Sequence, residues 1–117
     1  MDASPLPDSV TNLLAALGDC QRQRVLSAFL DARSWELPAT AIAARCAPLS
    51  RPAVSHHLAM MRRTNVLTAR RDGKHIYYTI NRDYIESALR SFLAFLDTCC
   101  APSDNCAPVA AGSEAAR

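Results

Sequence analysis

The order of elements in residues 39–64 constrains the fold of this chain more than any other feature. Small alanines around Ile42 predict a short helix over about Ala39–Arg45, and Cys46–Leu49 forms a tight connection after it. Ser50 is a good N-cap, and Pro52 falls in the first turn of the following helix, where no helical N–H is lost. A helix, a tight turn and a capped second helix are therefore expected.

The second helix of this pair is amphipathic. It is predicted to run to about Thr64, with Val54, Leu58 and Met61 on its inner face. Asn65 follows as a terminator, because asparagine tolerates the left-handed backbone conformation. Next, the run LTARR-DG-KHIYYTI places Asp72-Gly73 between two β-prone segments, which predicts a β-hairpin.

Helices are also predicted on both sides of this unit. The spacing of apolar residues predicts three more helices, each with one apolar stripe. The first begins at Asp8 and is ended by Gly18, and the second is capped by Asp19. The last is capped by Asn81 or Asp83. In that order the stripes are Val10, Leu13, Leu14, Leu17; then Val25, Leu26, Phe29, Leu30; then Ile85, Leu89, Phe92, Leu93, Leu96. The last stripe is too wide for one small domain to bury alone. The predicted order is ααααββα, a mainly α fold with a β-hairpin wing (α+β).

The length of 117 residues favours one domain. We expect a loose tail over 1–8, a folded domain over 9–98 and a cysteine-containing tail over 99–117. No segment of about 18 residues is apolar enough to span a membrane, and the N-terminus has no secretory signal pattern. Five cysteines are an odd number, too unevenly placed for a disulfide scaffold, so free thiols in the reducing cytoplasm are expected.

Charge is distributed unevenly along the chain. The segment from Arg45 to His75 has seven basic residues and one acid, and therefore carries a charge of +6. The remainder of the chain carries −4, which gives the net charge of +2. A basic segment on a near-neutral domain is typical of a surface that binds a polyanion. The alternative interpretation is a solvated basic face with no partner.

Element order and charge together predict a winged helix-turn-helix that binds double-stranded DNA. The N-terminal end of the second helix of the pair offers polar groups to base edges and phosphates, and the wing offers basic groups beside its turn. The predicted DNA-binding residues are Ser50, Arg51, Ser55, His56, His57, Arg62, Arg70, Arg71 and Lys74. Two of these have structural alternatives, since Ser50 caps a helix in any case and His57 fits a partly buried histidine. Likewise Tyr77-Tyr78 fits strand packing better than base stacking.

Three sequence blocks resemble the ArsR/SmtB family of transcriptional repressors. They are LGDCQRQRVL at Leu17–Leu26, LSRPAVSHHLAMMRRTNVL at Leu49–Leu67 and RRDGKHIYYTI at Arg70–Ile80. The resemblance covers most of residues 10–98 and departs from the family pattern at Cys20 and Asn65, where proline and glycine are usual. It implies a homodimer built on the first and last helices, binding to operator DNA, and release of that DNA when a metal or metalloid binds.

Two inducer sites that are common in this family are missing here. The cysteine pair that usually follows Glu-Leu is replaced by Pro38 and Thr40, and no histidine follows His75 to build a zinc site on the last helix. The remaining candidates are Cys99, Cys100 and Cys106. Three thiolates favour a soft centre such as As(III) or Sb(III), which completes a pyramidal shell with three sulfurs, whereas tetrahedral zinc would need a fourth ligand. Ala101-Pro102 would end the helix there and let the thiols converge.

We therefore expect a repressor with no constitutive cofactor and one As(III) or Sb(III) site per subunit. An alternative is a thiol-redox or reactive-sulfur sensor of the same fold, in which Cys20, near Arg22 and Arg24, pairs with a C-terminal cysteine. An architectural DNA binder that responds to no ligand is a further alternative. An enzyme is not predicted, because the chain has no Cys-x-x-Cys motif and no βαβ pattern. The C-terminal cysteines could also be an incidental tail, and Cys46 a small apolar residue beside the turn.

Overall fold

Five helices and one antiparallel sheet form the part of the chain that the computed structural model describes, which is residues 5–98 in full and the backbone of Cys99. The elements are α1 (Asp8–Leu17), α2 (Cys20–Ala32), β1 (Glu36–Pro38), α3 (Ala39–Arg45), α4 (Arg51–Arg63), β2 (Leu67–Asp72), β3 (His75–Ile80) and α5 (Arg82–Cys99). Residues 1–4 of the expected N-terminal tail and residues 100–117 of the expected C-terminal tail lie outside the described residues.

The sheet contains one strand more than the sequence predicted. Strand β1 pairs with β3, with Leu37 opposite Tyr78, so the sheet order is β1-β3-β2. Three residues ending in a proline show no alternation by themselves, and proline is tolerated here because β1 is an edge strand. The predicted order ααααββα is thus ααβααββα in the structure, and the winged helix-turn-helix is confirmed.

The predicted helix boundaries follow from local capping. The Asp19 side chain accepts a hydrogen bond from the Gln21 N–H at 2.7 Å, and the Ser50 hydroxyl accepts one from the Ala53 N–H at 3.2 Å. After α4, Asn65 has a φ of 68°, as expected for a left-handed terminator. These caps fix where α2 and α4 begin and where α4 ends.

A hydrogen-bonded corner joins α1 to α2. The Arg22 guanidinium donates to the carbonyls of Ala15 and Ala16, both at 3.0 Å, and the Gln23 side chain donates to the carbonyl of Leu17 at 2.8 Å. The last carbonyls of a helix have no partner inside that helix. Side chains from the first turn of α2 supply partners for them and so fix the angle between the two helices.

The core lies between α2, α3, α4 and the inner face of the sheet. Its largest fully buried side chains are Phe29, Ile42, Leu58, Met61 and Leu67, and Val54 lies with them. The inner face predicted for α4 is therefore confirmed. This core holds α4 as one outer helix of the domain, so its opposite face is directed to solvent.

Two predicted apolar stripes are only partly buried. Leu14 on α1 is 56% exposed. Leu30 at the end of α2 is 70% exposed, so its expected burial with the rest of the α2 stripe is wrong for this chain alone. Most of the α5 stripe is also exposed on the single chain. Helix α1 packs against another side of α5, where the Asn12 amide donates a hydrogen bond to the Tyr84 hydroxyl at 2.8 Å. Within residues 5–99 there is no helix with the length and apolar content needed to cross a membrane.

Candidate nucleic-acid interface

The N-terminal end of α4 presents polar side chains to solvent. Ser50, Arg51, Ser55 and His56 are exposed there, while Val54 and Leu58 anchor the opposite face of the helix. Ser50 already uses its hydroxyl as the N-cap acceptor, and its O–H remains free to donate. These are the groups that a recognition helix needs for base edges and phosphates.

The wing places further basic groups beside this helix. Asp72 pairs with His75, so the hairpin loop is Gly73-Lys74, and Gly73 has a φ of 64° that suits a residue without a side chain. Lys74 at the tip and Arg71 on β2 are exposed. Arg71 and Arg62 line one depression between the wing and α4. The arginines that the sequence assigned to two separate elements therefore lie on one surface.

His57 does not belong to that surface. It is 6% exposed, and its Nε2 atom lies 2.9 Å from the side-chain oxygen of Gln21 on α2. The helical periodicity of α4 turns His57 inward, one residue after the exposed His56. This placement removes His57 from the predicted DNA-binding residues and supports the alternative of a buried histidine that ties α4 to α2. Its Nε2 atom is paired with Gln21, whereas its buried Nδ1 atom has no hydrogen-bond partner among the described residues.

Arg70 is exposed, but its guanidinium group already forms a salt bridge with Glu36. Its Nε and Nη2 atoms each donate to the Glu36 carboxylate at 3.0 Å, and its Cζ atom lies 4.6 Å above the centre of the Tyr77 ring. The paired hydrogen bonds from Arg70, helped by one from Thr79, lower the pKa of Glu36, and the same pairing raises the pKa of Arg70. Sequence reasoning missed Glu36, which lies 34 residues before Arg70 and outside the basic segment.

The described cysteines occupy two different environments. Cys20 is exposed at the start of α2, whereas Cys46 is buried, and its thiol donates to the Arg24 carbonyl at 4.0 Å. Burial raises the pKa of the Cys46 thiol, as expected for a small apolar residue beside the turn. No group of three potential metal ligands occurs among the described residues. The side chains of the predicted triad Cys99, Cys100 and Cys106 lie outside them.

Comparison with curated proteins gives a transcriptional repressor as a relative. No family model matches the chain. The chain is 26% identical over 88 residues to the transcriptional repressor SdpR of Bacillus subtilis strain 168, which spans 75% of this chain and 93% of SdpR. This relative is a regulator of transcription, as the predicted DNA-binding surface led us to expect.

Solved structures of transcriptional regulators share the fold. An ArsR family transcriptional regulator superposes with a TM-score of 0.64 at 16% identity, over 84% of this chain and 94% of that one. HlyU from Vibrio cholerae N16961 gives a TM-score of 0.57 at 27% identity, over 78% and 92%. A protein described as a possible transcriptional regulator for arsenical resistance gives 0.58 at 26% identity, over 77% and 85%. The chain is therefore similar in fold to ArsR family transcriptional regulators, and in sequence to a transcriptional repressor.

Proposed function

We propose that this protein is a homodimeric repressor that binds operator DNA in the cytoplasm and releases it when As(III) or Sb(III) binds cysteine thiolates. The observation that carries the proposal is the shared surface of α4 and the wing. Arg51, His56, Arg62, Arg71 and Lys74 are exposed on these two elements. An α-helix of this kind fits the major groove, and a basic hairpin fits the adjacent backbone.

Dimerisation through α1 and α5 is supported by exposed apolar side chains. Those of α5 are between 37% and 60% exposed, and Leu14 of α1 adds to them. The set on α5 is Leu89, Phe92, Leu93, Phe95 and Leu96. Exposed large apolar side chains grouped on one helix of a small domain are typical of an interaction surface. A two-fold dimer would present two copies of α4, which suits half-sites one DNA turn, about 34 Å, apart.

The metalloid part of the proposal rests on the cysteines and on where α5 ends. Cys99 is the last residue of α5, the helix that carries the apolar stripe. A metalloid held by Cys99, Cys100 and Cys106 would act directly on the end of that dimer helix. Because two half-sites at fixed spacing must both fit, a small shift of α5 would weaken binding to the operator.

The test is operator binding with and without arsenite. Selection from a random duplex library first yields a bound sequence, which is then titrated by fluorescence anisotropy under a phosphine reductant, since dithiols chelate arsenic. We expect stoichiometric arsenite to release DNA from the wild type and from Cys20→Ser, but not from Cys99→Ser, Cys100→Ser or Cys106→Ser. Release that is unchanged in all three C-terminal variants would show that the site is elsewhere.

A second candidate function is thiol-redox or reactive-sulfur sensing, and the exposure of Cys20 favours it. A thiol at an exposed helix start is accessible to oxidants and to a second cysteine. This candidate predicts that a persulfide or peroxide releases DNA from the wild type and not from Cys20→Ser, with arsenite having no effect under full reduction. The same set of variants therefore separates the two functions.

A further inference from the structure

The Glu36 carboxylate receives three hydrogen bonds from two other strands. Arg70 of β2 donates two, at 3.0 Å each, and the Thr79 hydroxyl of β3 donates one at 3.0 Å. Glu36 itself lies on β1, opposite Thr79 in the strand register. One carboxylate therefore connects all three strands of the sheet.

The geometry of Arg70 explains how it reaches so far. In the register Arg70 lies opposite Tyr77, and Tyr77 lies opposite Pro38 of β1, so Arg70 and Glu36 are on the same face but on the two outer strands. Neighbouring strands are about 4.8 Å apart, so the Arg70 side chain has to pass over β3. It does so across the Tyr77 ring, with 4.6 Å between its Cζ atom and the ring centre. We call Glu36, Arg70, Tyr77 and Thr79 the wing clasp.

The strand at the far end of the wing clasp leads directly into the DNA-binding helices. Pro38 is the last residue of β1 and Ala39 the first of α3, and α3 is followed by α4. The hairpin β2–β3 carries Lys74 at its tip. The wing clasp thus joins the hairpin that holds the basic tip to the segment that begins the helix-turn-helix.

We propose that Glu36 is a positioning residue for DNA binding, which acts through Arg70 to hold the wing at a fixed angle to α4. This inference rests on the proposed DNA-binding function and assigns a role in it to an acid that cannot itself contact phosphate. It also reassigns Arg70 from a phosphate contact to a support of the wing. Two of the guanidinium donors of Arg70 already bind Glu36, and its Nη1 atom lies 3.8 Å from Asp72.

The direction in which Glu36→Gln changes the affinity for DNA separates this proposal from a purely electrostatic effect. Removing an acid near a DNA-binding surface should strengthen binding, because the field at the phosphates becomes more positive. If Glu36 positions the wing, Glu36→Gln should instead weaken binding to the selected duplex. The matched control is Glu86→Gln, which also removes an exposed, ion-paired carboxylate, the partner of Arg82 at 3.6 Å on α5.

The closing experiment measures how much Lys74 contributes to DNA binding with and without the wing clasp. In the wild type, Lys74→Ala should reduce the magnitude of the slope of log K against log salt by about 1.8, because the proposed homodimer loses two phosphate contacts at about 0.9 each. In Glu36→Gln, and equally in Arg70→Gln, the same change should lower the slope by less than about half that amount. Circular dichroism before each titration confirms that every variant is folded.

Each outcome decides the proposal. Weaker binding by Glu36→Gln, a Lys74 effect that shrinks in both clasp variants, and unchanged behaviour of Glu86→Gln support it. Equal or tighter binding by Glu36→Gln, with the full Lys74 effect retained, overturns it and leaves the DNA-binding function intact. Wild-type protein that binds no duplex at any salt concentration removes the proposed function, and the wing clasp's role with it.

Discussion

Helices α4 and α5 are both amphipathic, but only α4 buries its apolar face within the chain. Leu58 on α4 is 2% exposed and Met61 is fully buried, whereas Leu93 on α5 is 60% exposed. On α4 the side that faces solvent is polar and basic. On α5 a large part of the side that faces solvent is apolar.

This difference assigns different partners to the two helices. The apolar side of α4 stabilises the domain, so its polar side is free to contact DNA. Folding of one chain leaves the stripe of α5 exposed to water, so burying it requires a second surface. Substitutions on α5 should therefore change dimerisation, whereas substitutions on α4 should change the stability of one chain or its affinity for DNA.

The largest effect is expected at Leu93, because a symmetric dimer contains it twice. Burial of a leucine contributes about 1.5–3 kcal/mol, so Leu93→Asp should weaken dimerisation by at least about a hundredfold. Sedimentation equilibrium measures the dissociation constant, and operator affinity should fall with it. Ser87→Asp places the same charge on α5 outside the stripe and should leave the dimer intact. A Leu93→Asp protein that remains fully dimeric would contradict the assignment of α5.

The next effect concerns the fold of one chain. Leu58→Ala should lower the free energy of unfolding by about 2–5 kcal/mol, since it leaves a cavity in the core. Urea denaturation in the Leu93→Asp background measures this without the contribution of the dimer. In that background Leu89→Ala, on the exposed stripe, should cost less than about 0.5 kcal/mol. Equal costs at the two positions would remove the distinction between the helices.

The same contrast shows what the sequence could predict. The boundaries of α3 and α4, the inner face of α4 and the hairpin turn depend on neighbours close in the chain, such as Ser50, Asn65 and Gly73. Local rules were therefore sufficient for them. The width of the α5 stripe also indicated an unpaired surface correctly, because it exceeds what one small core can cover.

What the sequence did not predict depends on pairing between distant segments. Strand β1 exists because Leu37 lies beside Tyr78, 41 residues later, and a three-residue segment has no detectable period. The inward position of His57 depends on Gln21 of another helix, and the occupied guanidinium of Arg70 depends on Glu36. Residue type and charge alone made both His57 and Arg70 look like DNA contacts.

A smaller effect is expected at the N-cap of α4, where Ser50 combines a structural and a binding role. Ser50→Ala removes the hydrogen bond to the Ala53 N–H and should cost about 1 kcal/mol of unfolding free energy. Ser50→Asp keeps a capping acceptor and should retain the stability, but its charge should repel phosphate and weaken DNA binding. Denaturation and anisotropy titrations separate the two roles. Tight binding by Ser50→Asp would remove the N-terminal end of α4 from the DNA surface.

The smallest effect is the pH dependence of the wing clasp. Because Arg70 and Thr79 lower the pKa of Glu36 in the folded chain below its ordinary value of 4.5, the ionised carboxylate stabilises the fold above that value. This contribution is lost as the pH falls through the lower pKa of the folded state. Arg70 stays charged throughout the range. The midpoint of thermal unfolding should thus differ most between wild type and Glu36→Gln near pH 7, and the difference should shrink below pH 4.5.

Both the Glu36 carboxylate and the Arg70 guanidinium are exposed, so this difference in the unfolding midpoint is small even at its maximum. A difference that stays constant down to pH 3 would mean that the ionised carboxylate of Glu36 does not hold the three strands together, and that the sheet, like α4, depends on its buried face alone.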